Sequence, residues 1–383
     1  MTGFEPLVGI IGGYGAVGTA AARCLYAAGG VRLRIGGRDA DAAARLAGTL
    51  GEGVEAMAVD VADDRSTAAF GRGCHALLNC SGPAWLTLDR ALLAACSAGV
   101  AYADVMDDDR TGTSLTGTAV LGAGLSPGLT AMLPGLLAEG LARPLRFSGC
   151  YAGLEPFTRT GALDYVLSLT RDHGAALAEW RGGQVVRGAL EPSAGHRIPG
   201  LPRPVTAYPY LPQELVRQAA ALSLVRLRWY NAFDGTTLLD ALGRVRGLLS
   251  PDGDLDEAAA RVVRASALDA AGRSPYHLLW GRLEGHDTEG RLVRRSILIR
   301  GTDGSALTGC VGALVVRELA HGRVPQGLHR AAGVLAPASV LSWLRAHLPA
   351  TGVAVTEEAA DDDAAWDVLD CAGGQGAVVE GTL

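Results

Sequence analysis

An apolar run, Leu7–Ile11, passes directly into Gly12-Gly13-Tyr14-Gly15-Ala16-Val17-Gly18 and then into an Ala-rich stretch. That order predicts a strand, a tight turn and a helix. Within it, Gly13-x-Gly15-x-x-Gly18 assigns each glycine a physical task. Gly13 permits the turn, Gly15 lets main chain approach a pyrophosphate, and Gly18 lets helix and strand pack closely. The helix then offers free N–H groups and the positive end of its dipole at the same place. Gly-x-Gly-x-x-Gly alone is a weak signal. Between one strand and another it points to a dinucleotide-binding domain of the Rossmann type, with Gly13, Tyr14, Gly15, Ala16, Val17 and Gly18 as candidate phosphate-side residues. The competing reading is a glycine-rich turn in an α/β domain that holds no nucleotide.

The next apolar run ends Arg34-Ile35-Gly36-Gly37-Arg38-Asp39. An acid at this point would hold a ribose 2′-hydroxyl. Gly36 or Gly37 takes that place and leaves room for a 2′-phosphate, and Arg38 has the fork geometry to grip one, so NADP(H) is preferred over NAD. Arg38 as a solvated loop charge is the alternative. Asp39 suits a helix N-cap better than a ribose acid. Asp60 and Val61 follow the third strand and are expected near an adenine. Asn79-Cys80-Ser81-Gly82-Pro83 follows the fourth, where Cys80, Ser81, Gly82 and Pro83 would flank a nicotinamide or simply make a turn.

Strands are predicted at Leu7–Ile11, Val31–Ile35, Val54–Val59, Ala76–Cys80, Val100–Asp104 and Ala119–Gly122. Helices are predicted at Ala16–Ala28, Asp39–Leu50, Asp64–Gly71, Leu86–Ala98 and Pro127–Leu141. This alternation predicts the α/β class, with a doubly wound parallel sheet over residues 1–144. After Pro144 the pattern changes. Arg146–Gly153 and Val225–Phe233 read as strands, and Thr160–Trp180 as a long helix kinked near Gly174. Pro199–Pro212 reads as loop or edge, and Tyr276–His286 with Leu292–Gly301 as a hairpin. Gly304–His321 and Pro337–Leu348 read as helices and Gly352–Thr356 as a strand. Residues 145–330 are thus expected to form an α+β substrate and dimerisation domain with an antiparallel or mixed sheet. Residues 331–383 would be a C-terminal return segment and acidic tail.

At 49% hydrophobic and 19% charged, the 383 residues can build a large core. A net charge of −6 gives no pull toward nucleic acid or anionic membranes. The chain contains no lysine, which removes the usual Schiff-base former and phosphate anchor. Its seven cysteines lack Cys-x-x-Cys or Cys/His spacing, so no metal is expected and a reducing cytoplasm suits them. The N-terminus lacks the basic start of a signal peptide. Leu121–Ala138, with its glycines and prolines, reads as strand, turn and helix start, and a membrane span is the weaker reading. Exposed β-structure in the second domain is compatible with a homodimer.

Gly12–Gly18, the Gly37-Arg38-Asp39 turn, Asn79–Pro83, Ala101-Tyr102-Ala103-Asp104 and Gly122-Ala-Gly-Leu-Ser-Pro-Gly-Leu129 together resemble the saccharopine dehydrogenase-like NAD(P) oxidoreductases. Tyr-x-Asp on the fifth strand and Gly-x-x-Pro-Gly after the sixth are typical of that group. The resemblance extends to about residue 140 and is architectural beyond. It implies an oxidoreductase with a second, substrate-binding domain. Basic residues matched to the several carboxylates of saccharopine are not evident. The group also includes thiazolinyl imine reductases of enantio-pyochelin-like siderophore assembly. That resemblance implies reduction of a C=N bond in a small-molecule substrate, free or tethered to a carrier protein. Opine- or saccharopine-type dehydrogenation is the alternative, with Arg159, Arg171 or Arg228 on substrate carboxylates. A non-catalytic NADPH-binding protein is another.

Imine reduction needs a proton on nitrogen as hydride reaches carbon. Asp104 and Tyr102, at the carboxyl edge of the sheet, are the first candidates; Asp104 as a cap for the segment from Met106 is the other reading. Glu155, Phe157 and Thr158 follow the first strand of the second domain. His173, expected on a helix, joins Tyr151, Tyr230, Asp234 and His277 as further candidates. Either Trp229 or Tyr230 is expected in the core. Asp107–Asp109 and Asp361–Asp363 read as solvated acidic turns, since adjacent carboxylates cannot converge on one ion.

Overall fold

The structure, a computed structural model, describes residues 5–108, 115, 117–169, 173–245, 254–360 and 366–370. The chain divides into two compact units. One comprises Met1–Leu129 and Ser305–Pro349, the other Thr130–Gly304 and Ala350–Leu383.

The first unit begins with β1 (Leu7–Ile11), α1 (Ala16–Ala28), β2 (Arg32–Gly37), α2 (Ala40–Leu50), β3 (Glu55–Ala58) and α3 (Asp64–Gly71). It continues with β4 (Ala76–Asn79), α4 (Ala84–Ser97), β5 (Ala101–Asp104) and β6 (Thr118–Leu121). The second unit then takes α5 (Leu129–Ala138), β7 (Arg143–Leu154), α6 (Arg159–Ser168), β8 (Gly174–Ala176), β9 (Glu179–Arg181) and β10 (Gln184–Val186). It goes on through β11 (Ser193–His196), β12 (Val205–Pro212), α7 (Gln213–Ala221), β13 (Arg226–Phe233), α8 (Thr237–Val245), α9 (Leu255–Ala270), β14 (Tyr276–His286) and β15 (Leu292–Gly301). The chain returns to the first unit with α10 (Gly304–Ala320), β16 (Gly327–Arg330), α11 (Ala331–Val334) and α12 (Pro337–His347), then to the second with β17 (Gly352–Ala359).

The first unit holds a seven-stranded parallel sheet in the order β16-β6-β5-β4-β1-β2-β3. Strands β1 and β4 are buried along their whole length, as expected when helices cover both faces. One layer joins Ile11, Phe70, Leu77, Leu88, Leu92, Tyr102 and Leu121 into a core. On α10, Gly309 allows close approach to α1: a Cβ there would lie 2.5 Å from the Val17 carbonyl oxygen. Cys24 of α1 and Cys310 of α10 bring their sulfurs within 3.4 Å.

The second unit is built on a mixed ten-stranded sheet. β13 runs parallel to β7, and β14 pairs antiparallel with β7 and β15. Alternate residues therefore divide between two faces. One face carries the core of Cys150, Ala152, Tyr230, Ala232, Leu278, Trp280 and Val368. The other carries Phe147, Tyr151, Trp229, Asn231, His277 and Leu279 by the same register. Trp229 and Tyr230 are thus both buried, on opposite faces.

The α/β class with a parallel first sheet and a mixed second sheet is as expected. Several details differ. Helix α6 stops at Ser168, and the chain returns as β8 and β9, so the long helix to Trp180 does not exist and His173 is not helical. The Ala- and Leu-rich composition favours a helix locally, but pairing of β8 with β12 and β9 with β13 overrides it. Residues 205–212 are a full strand, not a loop: burial alternates strictly along β12 despite Pro209 and Pro212. The compact units also divide the chain elsewhere than at 144 and 330, because α5 packs with the second unit and α10 to α12 with the first.

Candidate functional site

In the first unit the sheet order reverses at β1, whose neighbours are β2 and β4. Ligand crevices of open α/β sheets lie at such a switch point, beyond the carboxyl ends of the strands. The turn after β1 is made by Gly12, at φ +71°. A Cβ on Gly12 would lie 2.8 Å from Ser81 N and 2.9 Å from the Cys80 carbonyl oxygen, so the loops after β1 and β4 touch. Gly12, rather than the expected Gly13, is the left-handed residue of the turn. Gly13 is small because β2 passes beside it: its N–H donates to the Gly36 carbonyl at 2.8 Å, and a Cβ would meet Ile35 Cγ2 at 2.8 Å. A Cβ on Gly18 would lie 2.3 Å from the Gly12 carbonyl oxygen, which seats α1 directly on the turn. Gly15 is the N-cap of α1 and brings no side-chain cap. The first-turn N–H groups at Ala16, Val17 and Gly18 thus have no capping side chain, an arrangement that can hold an anion.

At the end of β2, Tyr14 lies over Gly37, where a Cβ would stand 2.3 Å from the Tyr14 ring. The Tyr14 hydroxyl accepts from Asp39 N–H at 3.0 Å. The space at Gly37 is thus filled by Tyr14. Arg38 is exposed and makes no ion pair among the described residues. Asp39 caps α2, accepting from Ala42 N–H at 2.9 Å. After β3, Asp60 turns its carboxylate onto Ala62 N–H, and Val61 packs against the core.

Beneath the Asn79–Pro83 loop lies a buried polar knot. Asp104 accepts from Tyr102 Oη (2.5 Å), Asn79 Nδ2 (2.8 Å) and Met106 N–H (2.9 Å). Asn79 Oδ1 in turn accepts from Ser81 N–H and Ser81 Oγ. Asp104 and Tyr102 are 1% and 0% exposed. Burial, with Asp104 beside it, holds the Tyr102 phenol well above its ordinary pKa, and the same two causes raise the Cys80 thiol. This geometry matches the capping role of Asp104: the pair shapes the loop from below. Asp107 is also not a solvated acid, being buried and paired with Arg330 of β16 at 3.1 Å. Asp109 and Asp361–Asp363 lie outside the described residues, as does Arg171. Among the described residues no cluster could hold a metal ion, and no helix is long and apolar enough to cross a membrane.

In the second unit Tyr151, His277 and Glu155 meet. Tyr151 Oη and His277 Nδ1 are joined by a hydrogen bond of 2.7 Å. His277 Nε2 stands 3.0 Å from Glu155 Oε1, yet keeps no aligned hydrogen bond. Gly304 must be small here, since a Cβ would meet His277 Cε1 at 2.7 Å. Burial, then the nearby Glu155, raises the Tyr151 phenol.

No protein-family model matches the chain, and no curated protein matches it. A solved structure does over nearly its whole length. Saccharopine dehydrogenase (L-Glu forming) from Saccharomyces cerevisiae aligns with a TM-score of 0.66 at 13% identity, over 93% of this chain and 100% of that one. The fold is that of saccharopine dehydrogenase. Pen from Bacillus thuringiensis and AtPrR2 with NADP+ and (+)pinoresinol also align, over 27% of this chain and 38% and 37% of theirs. Their identities are 12% and 14% and each TM-score is 0.24.

On the saccharopine dehydrogenase fold, the other expected residues separate. Phe157 donates its N–H to Ser266 Oγ, and Thr158 caps α6 through Gly161 N–H. His173 stands just before β8, its carbonyl accepting from Gln213 N–H. Asp234 is held by Arg273, Arg203 and Tyr276. Arg159 pairs with Asp256 on the surface. Arg228 is engaged by Glu179 and Asp367, so it is not an open carboxylate receptor. Gly12 and the placement of Tyr14 were not singled out from sequence, although two consecutive glycines after an apolar strand mark the first of them.

Proposed function

We propose that this chain is an NADP(H)-dependent oxidoreductase that reduces a C=N bond. The substrate would be an imine of a small metabolite, free or tethered to a carrier protein, as a thiazoline would be in siderophore assembly. The observation that carries the reading is the glycine cradle. Gly12, Gly15 and Gly18 keep the turn after β1 free of side chains, the open N-terminus of α1 faces it, and the Asn79–Pro83 loop lies against it. A dinucleotide fits that donor set: phosphates on the N–H groups at Ala16 to Gly18, adenosine along Gly37, Arg38, Asp60 and Val61, and nicotinamide beside Cys80 to Pro83.

When bound, the cofactor supplies hydride to the carbon of the C=N bond. The protein supplies position and a proton. Tyr102 and Asp104 hold the Asn79–Pro83 loop rigid from below. The group we assign to proton handling is Glu155 with His277 and Tyr151, because an imidazole hydrogen-bonded to a half-buried phenol stands within 3.0 Å of a half-exposed carboxylate. The six described cysteines are all free, which suits a reducing cytoplasm.

A second reading, saccharopine- or opine-type dehydrogenation of an amino acid, is favoured by the fold itself. It asks for arginines on substrate carboxylates, and the engagement of Arg159 and Arg228 within the chain weighs against those two.

Fluorescence titration with NADPH and NADH, followed by oxidation assays, tests both. The panel is a thiazoline thioester mimic, cyclic imines, and 2-oxo acid with amine. Turnover of an imine supports the first reading, and turnover of the 2-oxo acid pair the second. Tight binding without any turnover would leave a nucleotide-binding protein.

A further inference from the structure

We infer that Tyr14, a residue of the glycine loop, sets the choice between NADPH and NADH by acting on the end of β2. The inference rests on the nucleotide reading above and deepens it.

In this chain the position that would carry a ribose-binding acid is Gly37. A side chain there meets the Tyr14 ring where it now lies: its Cβ would stand 2.3 Å from Tyr14 Cε1, 2.8 Å from Cζ and 3.0 Å from the hydroxyl oxygen. Gly37 does not adopt a positive φ, so the backbone itself would accept a substituent. An acid at 37 and the present placement of Tyr14 therefore exclude each other. The ring occupies the place from which an acid would select the 2′-hydroxyl of NADH.

The hydroxyl of Tyr14 has a second effect. It accepts from Asp39 N–H at 3.0 Å, which spends that main-chain donor but leaves the phenolic proton free to donate. The Asp39 carboxylate is turned onto Ala42 N–H. Arg38 next to it is exposed and unpaired among the described residues. The end of β2 thus offers one neutral donor and one guanidinium. That pairing suits a 2′-phosphate, whose oxygens only accept, and gives nothing special to a 2′-hydroxyl.

The test is nucleotide binding by titration with NADPH, NADH, 2′,5′-ADP and 5′-AMP. Tyr14→Phe keeps the ring and removes the proton. It is expected to weaken NADPH and 2′,5′-ADP about tenfold or more, as for a lost hydrogen bond to a charged group, and to leave NADH and 5′-AMP within about twofold. The steric half is tested by Gly37→Asp. Alone it is expected to abolish binding of both dinucleotides, whereas Gly37→Asp combined with Tyr14→Ala regains NADH. Equal weakening of all four ligands by Tyr14→Phe, with wild type binding normally, would overturn the inference and leave the nucleotide reading standing. No saturation of wild type by either dinucleotide would overturn both.

Discussion

At the scale of single residues, burial separates the groups that shape the loop from the groups we propose for ligand. Asp104 accepts from Tyr102 and Asn79 on Oδ2 and from Met106 N–H on Oδ1 in a site shut off from water, so an amide nitrogen in place of either oxygen faces a donor. Asp104→Asn is expected to cost roughly 2–3 kcal/mol, read by urea unfolding. Its nucleotide affinity should fall no further than loosening of the Asn79–Pro83 loop requires. A loss of turnover with unchanged stability would make Asp104 chemical rather than structural. Arg38→Ala predicts the opposite pattern: unchanged stability, since the side chain is exposed, and NADPH weakened far more than NADH. Equal loss for both dinucleotides would remove the 2′-phosphate assignment. The sequence shows Arg38 and the spaced glycines plainly, because a backbone that must pass within van der Waals distance of another admits only glycine. It does not show Tyr14 over Gly37, because that contact joins the turn after β1 to the end of β2, with all of α1 between them.

At the scale of elements, two glycines in helices give opposite expectations. Gly18→Ala puts a methyl 2.3 Å from a main-chain oxygen, so α1 must lift from β1. It is expected to destabilise by about 1–3 kcal/mol and to remove nucleotide binding. Gly48→Ala in α2 meets nothing within 4 Å and should raise stability by about 0.5–1 kcal/mol without changing affinity. Thermal melts and titrations of the two variants check both. The first sheet was legible because its central strands β1 and β4 are buried along their whole length and its helices begin on Asp39 and Asp63 or end at Gly29. The second was legible in its longer strands, β7, β13, β14, β15 and β17. Strands β8 and β9 have three residues each, too few to show a period, and their alanines favour helix in isolation. Strand β16, half-buried throughout and preceded by Pro325, has no alternation to read.

At the scale of the molecule, the second unit closes over its own C-terminal segment. Glu179, fully buried, accepts from Arg181, Arg226 and Arg228, and Arg228 also reaches Asp367, which Ser148 and Tyr230 share. Trp366 sits 5.0–5.9 Å from the guanidinium carbons of Arg228, Arg226 and Arg146. Burial pushes the Glu179 carboxyl up, but hydrogen bonds from Arg226, Arg228 and Arg181 outweigh it and leave the pKa below the ordinary 4.5. Its stabilisation is therefore in place above pH 4.5 and is lost as pH falls through the lower folded value. Melting temperature measured from pH 6 downward should fall in that window, and Glu179→Gln should flatten the fall. Ending the chain at Ala360 strips Arg228 and Tyr230 of Asp367 and is expected to cost about 3–5 kcal/mol. An unchanged melt would show the segment to be dispensable. The interleaving of the two units bears on biosynthesis. A ribosome completes β6 early, but β16, which covers that edge, follows only after the whole body of the second unit. For roughly 10–40 s at ordinary elongation rates the nascent sheet carries an open edge. During that interval the β6 edge is a template that another strand can pair with before β16 takes its place.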